Sequence, residues 1–355
     1  MSITMQSPLS RGSEASGHIA LQVWLWAVAI LVLAIVTVGG ATRLTGSGLS
    51  ITEWQPIMGA IPPLSDADWQ VAFDKYRQIT QYKLVNKGMS LDAFKEIFWW
   101  EWGHRQLARF IGVAFAVPFA IFWWLGMIPR RLKGRLFGVF ALGALQGGIG
   151  WYMVKSGLVD RVAVSHYRLA LHLSVAMAIF AALVWLALSL RPDQRRRIRL
   201  RTLPPRTAAI AGTIIALIFL QTALGAFVAG TKAGLSHNTW PLMDGRLIPS
   251  GLFAMSPWWI NAFENVATIQ FNHRLLAYVL LAVIGWHVWR VVQSADDERV
   301  RVSALLLAVG VLLQVVFGIW TLLAMVPLWL GLVHQGGAVV VLGLAVWHRH
   351  TIANS

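Results

Sequence analysis

Residues 20–40 read ALQVWLWAVAILVLAIVTVGG, twenty-one positions without a charge. About 20 such residues let an α-helix cross the hydrocarbon core of a bilayer. Seven further runs of this kind follow, at 105–127, 136–154, 167–190, 208–229, 273–292, 302–325 and 328–347. Of 355 residues, 57% are hydrophobic and only 13% charged, and mean hydropathy is +0.62. A soluble domain carries charge on roughly a quarter of its residues, so that class is excluded. The expected fold is an all-α integral membrane protein with eight transmembrane helices. The first run is read as a permanent span: it is long for a signal peptide, only Arg11 precedes it as a basic residue, and it has a counterpart later in the chain. Absence of Cys excludes disulfides, iron–sulfur clusters, thiolate-ligated haem and covalent c-type haem. Metal chemistry here must rest on His and carboxylates.

The 30 Lys and Arg give a formal charge of +15, yet they punctuate the apolar runs and do not gather into a basic domain. That pattern orients a chain in a lipid bilayer and argues against a nucleic-acid partner. The connection after span 2 carries Arg130, Arg131, Lys133 and Arg135 with no acid. The one after span 4 carries seven Arg from Arg191 to Arg206 against Asp193 alone. Both are cytoplasmic by the positive-inside rule, which makes both termini cytoplasmic and sets the long connections 41–104 and 230–272 outside. Residues 64–97, polar and moderately amphipathic, are expected to hold a short helix there.

The chain also repeats itself. After span 1 come Gly48-Leu49-Ser50, Trp54, Pro56, Met58 and Ile61-Pro62; after span 5 come Gly234-Leu235-Ser236, Trp240, Pro241, Met243 and Ile248-Pro249. Span 2 opens with His104-Arg105 and span 6 with His273-Arg274; Gln146 and Gly150 in span 3 answer Gln314 and Gly318 in span 7. Four spans per repeat make the halves parallel, so the expected architecture is two pseudo-symmetric four-helix bundles, 1–195 and 205–355.

Intramembrane ionisable residues are costly and point to function. His104 and His273 fall at the outer ends of spans 2 and 6, and His172 and His334 about a turn and a half into spans 4 and 8. Each half thus offers one His from its second helix and one from its fourth at similar depth, the arrangement by which two axial ligands approach a haem from opposite faces. A single interfacial His is more often a packing residue; four at equivalent positions favour ligation. His166 lies 20 residues after Gln146, as His334 does after Gln314. His172 is preferred because it lies inside the span and because HLSVA matches HQGGA. His18, His237, His287, His348 and His350 are read as solvated or interfacial. Gly147, Gly148, Gly150, Gly225, Gly336 and Gly337 suit either close helix packing or room for a flat macrocycle. Arg105, Arg109, Arg168 and Arg274 either snorkel to the interface or pair with propionates, for which a guanidinium fork is suited.

The halves differ in one respect. EWGHR, Glu101 to Arg105, is answered by QFNHR, Gln270 to Arg274. Glu101 stands three residues before His104, on the same helix face, where a carboxyl could move protons or stabilise positive charge, whereas Gln only hydrogen-bonds. An ion pair with Arg105 or Arg109 fits the same spacing.

The strings GGATRLTGSGLSITEWQPIMGAIPP (Gly39 to Pro63), EWGHR at Glu101, LALHLS at Leu169, FNHR at Phe271 and VHQGGA at Val333 resemble the haem A synthase family, in its mitochondrial and alphaproteobacterial branch, over essentially the whole chain. The resemblance implies oxidation of the C8 methyl of the substrate haem O to a formyl group, giving haem A for cytochrome c oxidase, in the bacterial inner (plasma) membrane. It implies that His104 and His172 face haem O, that His273 and His334 hold a haem b cofactor, and that Glu101 is important for the reaction. Arg105 and Arg274 are expected at the haem edges. An electron donor, not identified by these residues, and a haem O synthase handing over an insoluble substrate are the expected partners. Some members carry an outer-loop cysteine pair, which this chain lacks. The rival reading is a dihaem b-type membrane electron-transfer protein without catalysis.

Overall fold

The computed structural model describes residues 8–55, 57–190 and 203–354, with side chains from residue 17. Pro56 and most of the arginine-rich connection after span 4 lie outside the described residues. The elements are α1 (Pro8–Leu44), α2 (Asp66–Arg77), α3 (Thr80–Leu84), α4 (Leu91–Trp124), α5 (Arg130–Gly157), α6 (His166–Ser189), α7 (Thr207–Thr231), α8 (Asn261–Glu264), α9 (Val266–Ser294), α10 (Glu298–Leu323) and α11 (Leu328–Ala353). No β-strand forms among the described residues; a lone bridge joins Met243 and Arg246. Eight helices, α1, α4, α5, α6, α7, α9, α10 and α11, are long and apolar enough to cross a membrane, one for each run read from the sequence. The protein is a multi-pass membrane protein.

Several helices start before their apolar runs, and for the site the extensions of α4 and α9 matter. α4 begins at Leu91 and α9 at Val266, where 105 and 273 were expected. Hydropathy misses these extensions because they are amphipathic. The first turns of α4 bury Phe94, Ile97 and Phe98 against Trp69, Phe73 and Tyr76 of α2, the helix expected within 64–97. Ser90 caps α4 by accepting from the Ala93 amide, and Asn265 caps α9 by accepting from Ala267 and Thr268. His104 and His273 consequently sit 13 and 7 residues inside their helices, where neighbouring helices fix them.

α1 packs on α4, α6 and α11; α7 packs on α6, α9 and α11; α6 and α11 also touch each other. These four helices therefore make the centre, with α4 and α5 flanking one side and α9 and α10 the other. Most of the buried apolar core lies along this centre, including Leu21, Leu25, Met177, Leu183, Ile214 and Leu342. Polar clasps cross it. Arg43, at the end of α1, donates to Gly230 O (2.6 Å) among the last carbonyls of α7, where a cation meets the negative end of the helix dipole. Gln335 of α11 donates to Val36 O (2.6 Å) of α1. Outside the core, exposed Trp123, Trp124, Trp286 and Trp289 gather near the C-terminal ends of α4 and α9, as expected of an interfacial aromatic belt.

Candidate functional site

Four glycines, on four different helices, each face one histidine. A Cβ added to Gly39 of α1 would lie 3.1 Å from His104 Nε2; one on Gly150 of α5, 3.1 Å from His172 Cε1; one on Gly225 of α7, 3.1 Å from His273 Cε1; and one on Gly318 of α10, 2.7 Å from His334 Cε1. A missing side chain is thus what seats each imidazole. The structure brings His104 and His172 within electrostatic reach of each other, and likewise His273 and His334. Yet α4 does not pack side by side with α6, nor α9 with α11, among the described residues. Each pair of histidine helices is bridged instead by its neighbours, so the rings approach across a gap between helices.

Three of the four histidines carry an amide partner. Gln146 Nε2 donates to the backbone carbonyl of His172 (3.0 Å), Gln221 Nε2 to that of His273 (3.0 Å) and Gln314 Nε2 to that of His334 (2.7 Å). The same amides stand 3.4, 3.2 and 3.2 Å from a ring nitrogen of their histidine. Oε1 of Gln146, Oε1 of Gln221 and Nδ1 of His172 are buried without a hydrogen-bond partner. Each Gln precedes its glycine by four residues, one helical turn, so a Gln-x-x-x-Gly motif recurs in α5, α7 and α10. Sequence reading noted Gln146 and Gln314 but missed Gln221 and Gly39. The recurring spacing was the signal available.

Of the other glycines, Gly336 lies against Thr37 of α1 and Gly337 against the Gln314 amide, so both serve helix approach; nothing lies within 4 Å of a Cβ at Gly147 or Gly148.

Outer-loop clasps stand above each pair. Glu101, 3% exposed, accepts from Ser50 Oγ (2.8 Å), from the Ile51 amide (2.8 Å) and from Arg105 Nη2 (2.6 Å). Arg105 also donates to Ile51 O (2.9 Å) and Glu53 O (3.0 Å). In the second half Arg274 donates to His237 O (2.7 Å) and Thr239 O (2.9 Å), while Gln270 donates to Ala233 O (2.9 Å) and Ser236 O (3.0 Å). The arginine clasp is the same in both loops. The third contact reverses polarity, because a carboxylate only accepts and an amide also donates. Arg274 Nε is buried and unpartnered, a donor left over from its clasp. A cavity of 240 Å³ beside Arg105 is lined by Ile51, Trp54, Trp151, Lys155 and Leu158 among others.

Arg109 donates to Gln55 O (3.0 Å), and Arg168 reaches Ser156 and lies over the Tyr152 ring. His166, at the start of α6, packs on Phe227 of α7; its Nε2 is 3.5 Å from Glu264, outside hydrogen-bond geometry. Faced by α7 and Glu264, it stands apart from the four glycine-seated rings.

His287 and His348, expected to be solvated or interfacial, are instead 1% and 0% exposed. Their Nε2 atoms are 3.0 Å apart, and His348 Nδ1 is 2.8 Å from Ser303 Oγ. Their positions near span ends gave an exposed reading; α10 covers them. Replacing His287 by Leu strands His348 Nε2, which is expected to cost about 1–3 kcal/mol. The double variant His287→Leu/His348→Leu should regain part of that. Thermal unfolding in detergent checks this; a double variant as costly as two independent losses would refute the pairing.

The donor set suits two iron macrocycles. Imidazoles from helices that do not pack on one another stand in two pairs across a gap, glycines clear their edges, and a glutamine amide holds the backbone of three of them in place. The described residues hold no group of three or more His, Cys, Asp or Glu of the kind that binds a bare metal ion.

Residues 22–346 match the family of cytochrome oxidase assembly proteins, COX15-CtaA. The chain is 54% identical to a heme A synthase of Parvibaculum lavamentivorans, covering 95% of this chain and 96% of that one. It is 53% identical to one from Sinorhizobium medicae, covering 92% and 88%, and 50% identical to one from Mesorhizobium japonicum, covering 96% and 92%.

Proposed function

The chain belongs to the COX15-CtaA family of cytochrome oxidase assembly proteins, and from that membership we propose that it oxidises the C8 methyl of haem O to the formyl group of haem A. Its relatives are heme A synthases over nearly their whole length, which supports an enzyme of haem A biosynthesis. The observation that carries the two-site reading is the doubled His pair with its glycine seats.

In this reading the halves 1–195 and 205–355 divide the work. His104 and His172 hold haem O, and His273 and His334 hold a haem b. When bound, the haem b supplies single electrons to the oxidation. Two hydroxylations of the methyl carbon, each with dioxygen as oxidant, one oxygen atom entering the C–H bond and the other leaving as water with two electrons and two protons from the donor, would give a geminal diol, and loss of water would leave the aldehyde. The chain's own part is orientation. His104 and His172 would hold the substrate haem, and Arg105 clamps residues 51–53 of the adjoining loop. Glu101, three residues before His104, holds the loop amide and the arginine and is the carboxyl to which proton movement at the reacting carbon is assigned. Arg274 Nε–H is the donor available to a propionate in the second half. The chain lies in the bacterial plasma membrane with both termini cytoplasmic. It draws haem O from its synthase and electrons from a separate donor.

The test is extraction of pigment from protein co-expressed with a haem O synthase in a host that makes no haem A. Haem B together with haem A, or with hydroxylated haem O, supports the enzyme. Haem B alone would replace this reading with that of a dihaem electron carrier.

A further inference from the structure

The four glycine-seated histidines are not held alike. One turn before the glycine stands Gln146 for His172, Gln221 for His273 and Gln314 for His334. One turn before Gly39, the glycine that faces His104, stands Ile35. Position 35 is the repeat equivalent of 221, since Gly39 and Gly225, like Gly48 and Gly234, lie 186 residues apart. Ile35 offers neither donor nor acceptor. The second pair is therefore buttressed on both sides, and the first on one side only.

Such a buttress has a defined effect. A partner that fixes the position and orientation of a ligating imidazole strengthens its hold on the metal. The Gln amide donates to the histidine's own backbone carbonyl, which holds it against the ring, with Nε2 standing 3.2 Å from Nδ1 of His273 and of His334. A cofactor has to stay, whereas a substrate must leave after each turnover. Resting on the two-site function proposed above, we infer that the Ile35/Gln221 difference makes His104 the releasable ligand and Gln221 a positioning residue that retains the second haem.

The experiment mixes purified protein carrying both haems with excess apomyoglobin and follows haem transfer in the Soret band. Wild type should transfer in two phases, the first site fast. Ile35→Gln should slow the fast phase by about 10- to 100-fold, the usual worth of such an outer partner, and leave the slow phase alone. Ile35→Met, of similar bulk without an amide, should change neither. Gln221→Leu should speed the slow phase, because the His273 carbonyl loses its donor. Gln221→Glu, of the same bulk but with no N–H for the His273 carbonyl, should speed it likewise, which loss of packing alone would not produce. A fast phase unaltered in loaded Ile35→Gln overturns the inference while the two-site function stands. If Ile35→Gln does not load, an unmoved slow phase in Gln221→Leu and Gln221→Glu overturns it. Extraction of a single haem from wild type overturns the function reading and this inference with it.

Discussion

Glu101→Gln is expected to lower conversion of haem O by about 100-fold or more, the low end of what a positioned proton-transfer group contributes, while both haems remain bound. The carboxylate matches three donors, Ser50 Oγ, the Ile51 amide and Arg105 Nη2. An amide in its place keeps one acceptor and turns an NH₂ toward at least one of those donors. The Ser50 hydroxyl can rotate to accept; the Ile51 amide and the guanidinium cannot. Removing one partner of a buried pair costs about 3–5 kcal/mol, an upper bound here because Arg105 keeps the Ile51 and Glu53 carbonyls. The second-half loop does not suffer this with Gln270, because it offers two carbonyls where the first-half loop offers a hydroxyl and an N–H. Product analysis reads the conversion, and hydrogen exchange at the Ile51 amide reads the clasp. Lost conversion with unchanged exchange would assign Glu101 to the chemistry, and lost conversion with faster exchange would assign it to holding the loop. Unchanged conversion would remove it from the reaction.

Gly318→Ala is expected to empty the second site. The added methyl would stand 2.7 Å from His334 Cε1, inside contact distance, so the ring or α10 must move. Overpacking of this kind costs about 1–3 kcal/mol, equivalent to about a 5- to 150-fold loss of haem affinity. Gly225→Ala, at 3.1 Å from His273 Cε1, should cost less, and Gly143→Ala, with nothing within 4 Å, should cost nothing. Haem per chain, measured on the extracted pigment, should fall in that order. Equal haem content in Gly318→Ala and Gly143→Ala would mean that the glycine is not the seat of the ring.

Much of this architecture was legible in one dimension. Hydropathy marks the eight spans because lipid demands about 20 apolar residues from every crossing helix. Repetition of GLS, His-Arg and Gln-Gly at matching offsets marks the halves and nominates His104, His172, His273 and His334. Hydropathy does not reach the first turns of α4 and α9, whose exposed faces are polar and whose buried faces depend on partners such as Trp69 and Tyr76.

The sequence by itself determined the class, the number of spans and the four candidate ligands, because membrane insertion and helix periodicity act on local composition. Only the tertiary structure decided that His287 and His348 are a buried pair, that Glu101 is clasped by Ser50, Ile51 and Arg105, and that Gln221 partners His273 across 52 residues. Those facts depend on which helix faces approach one another. Side-chain hydrogen bonds between helices are short, directional contacts whose partners are chosen by helix rotation and crossing, and neither is written in the period or hydropathy of a single segment.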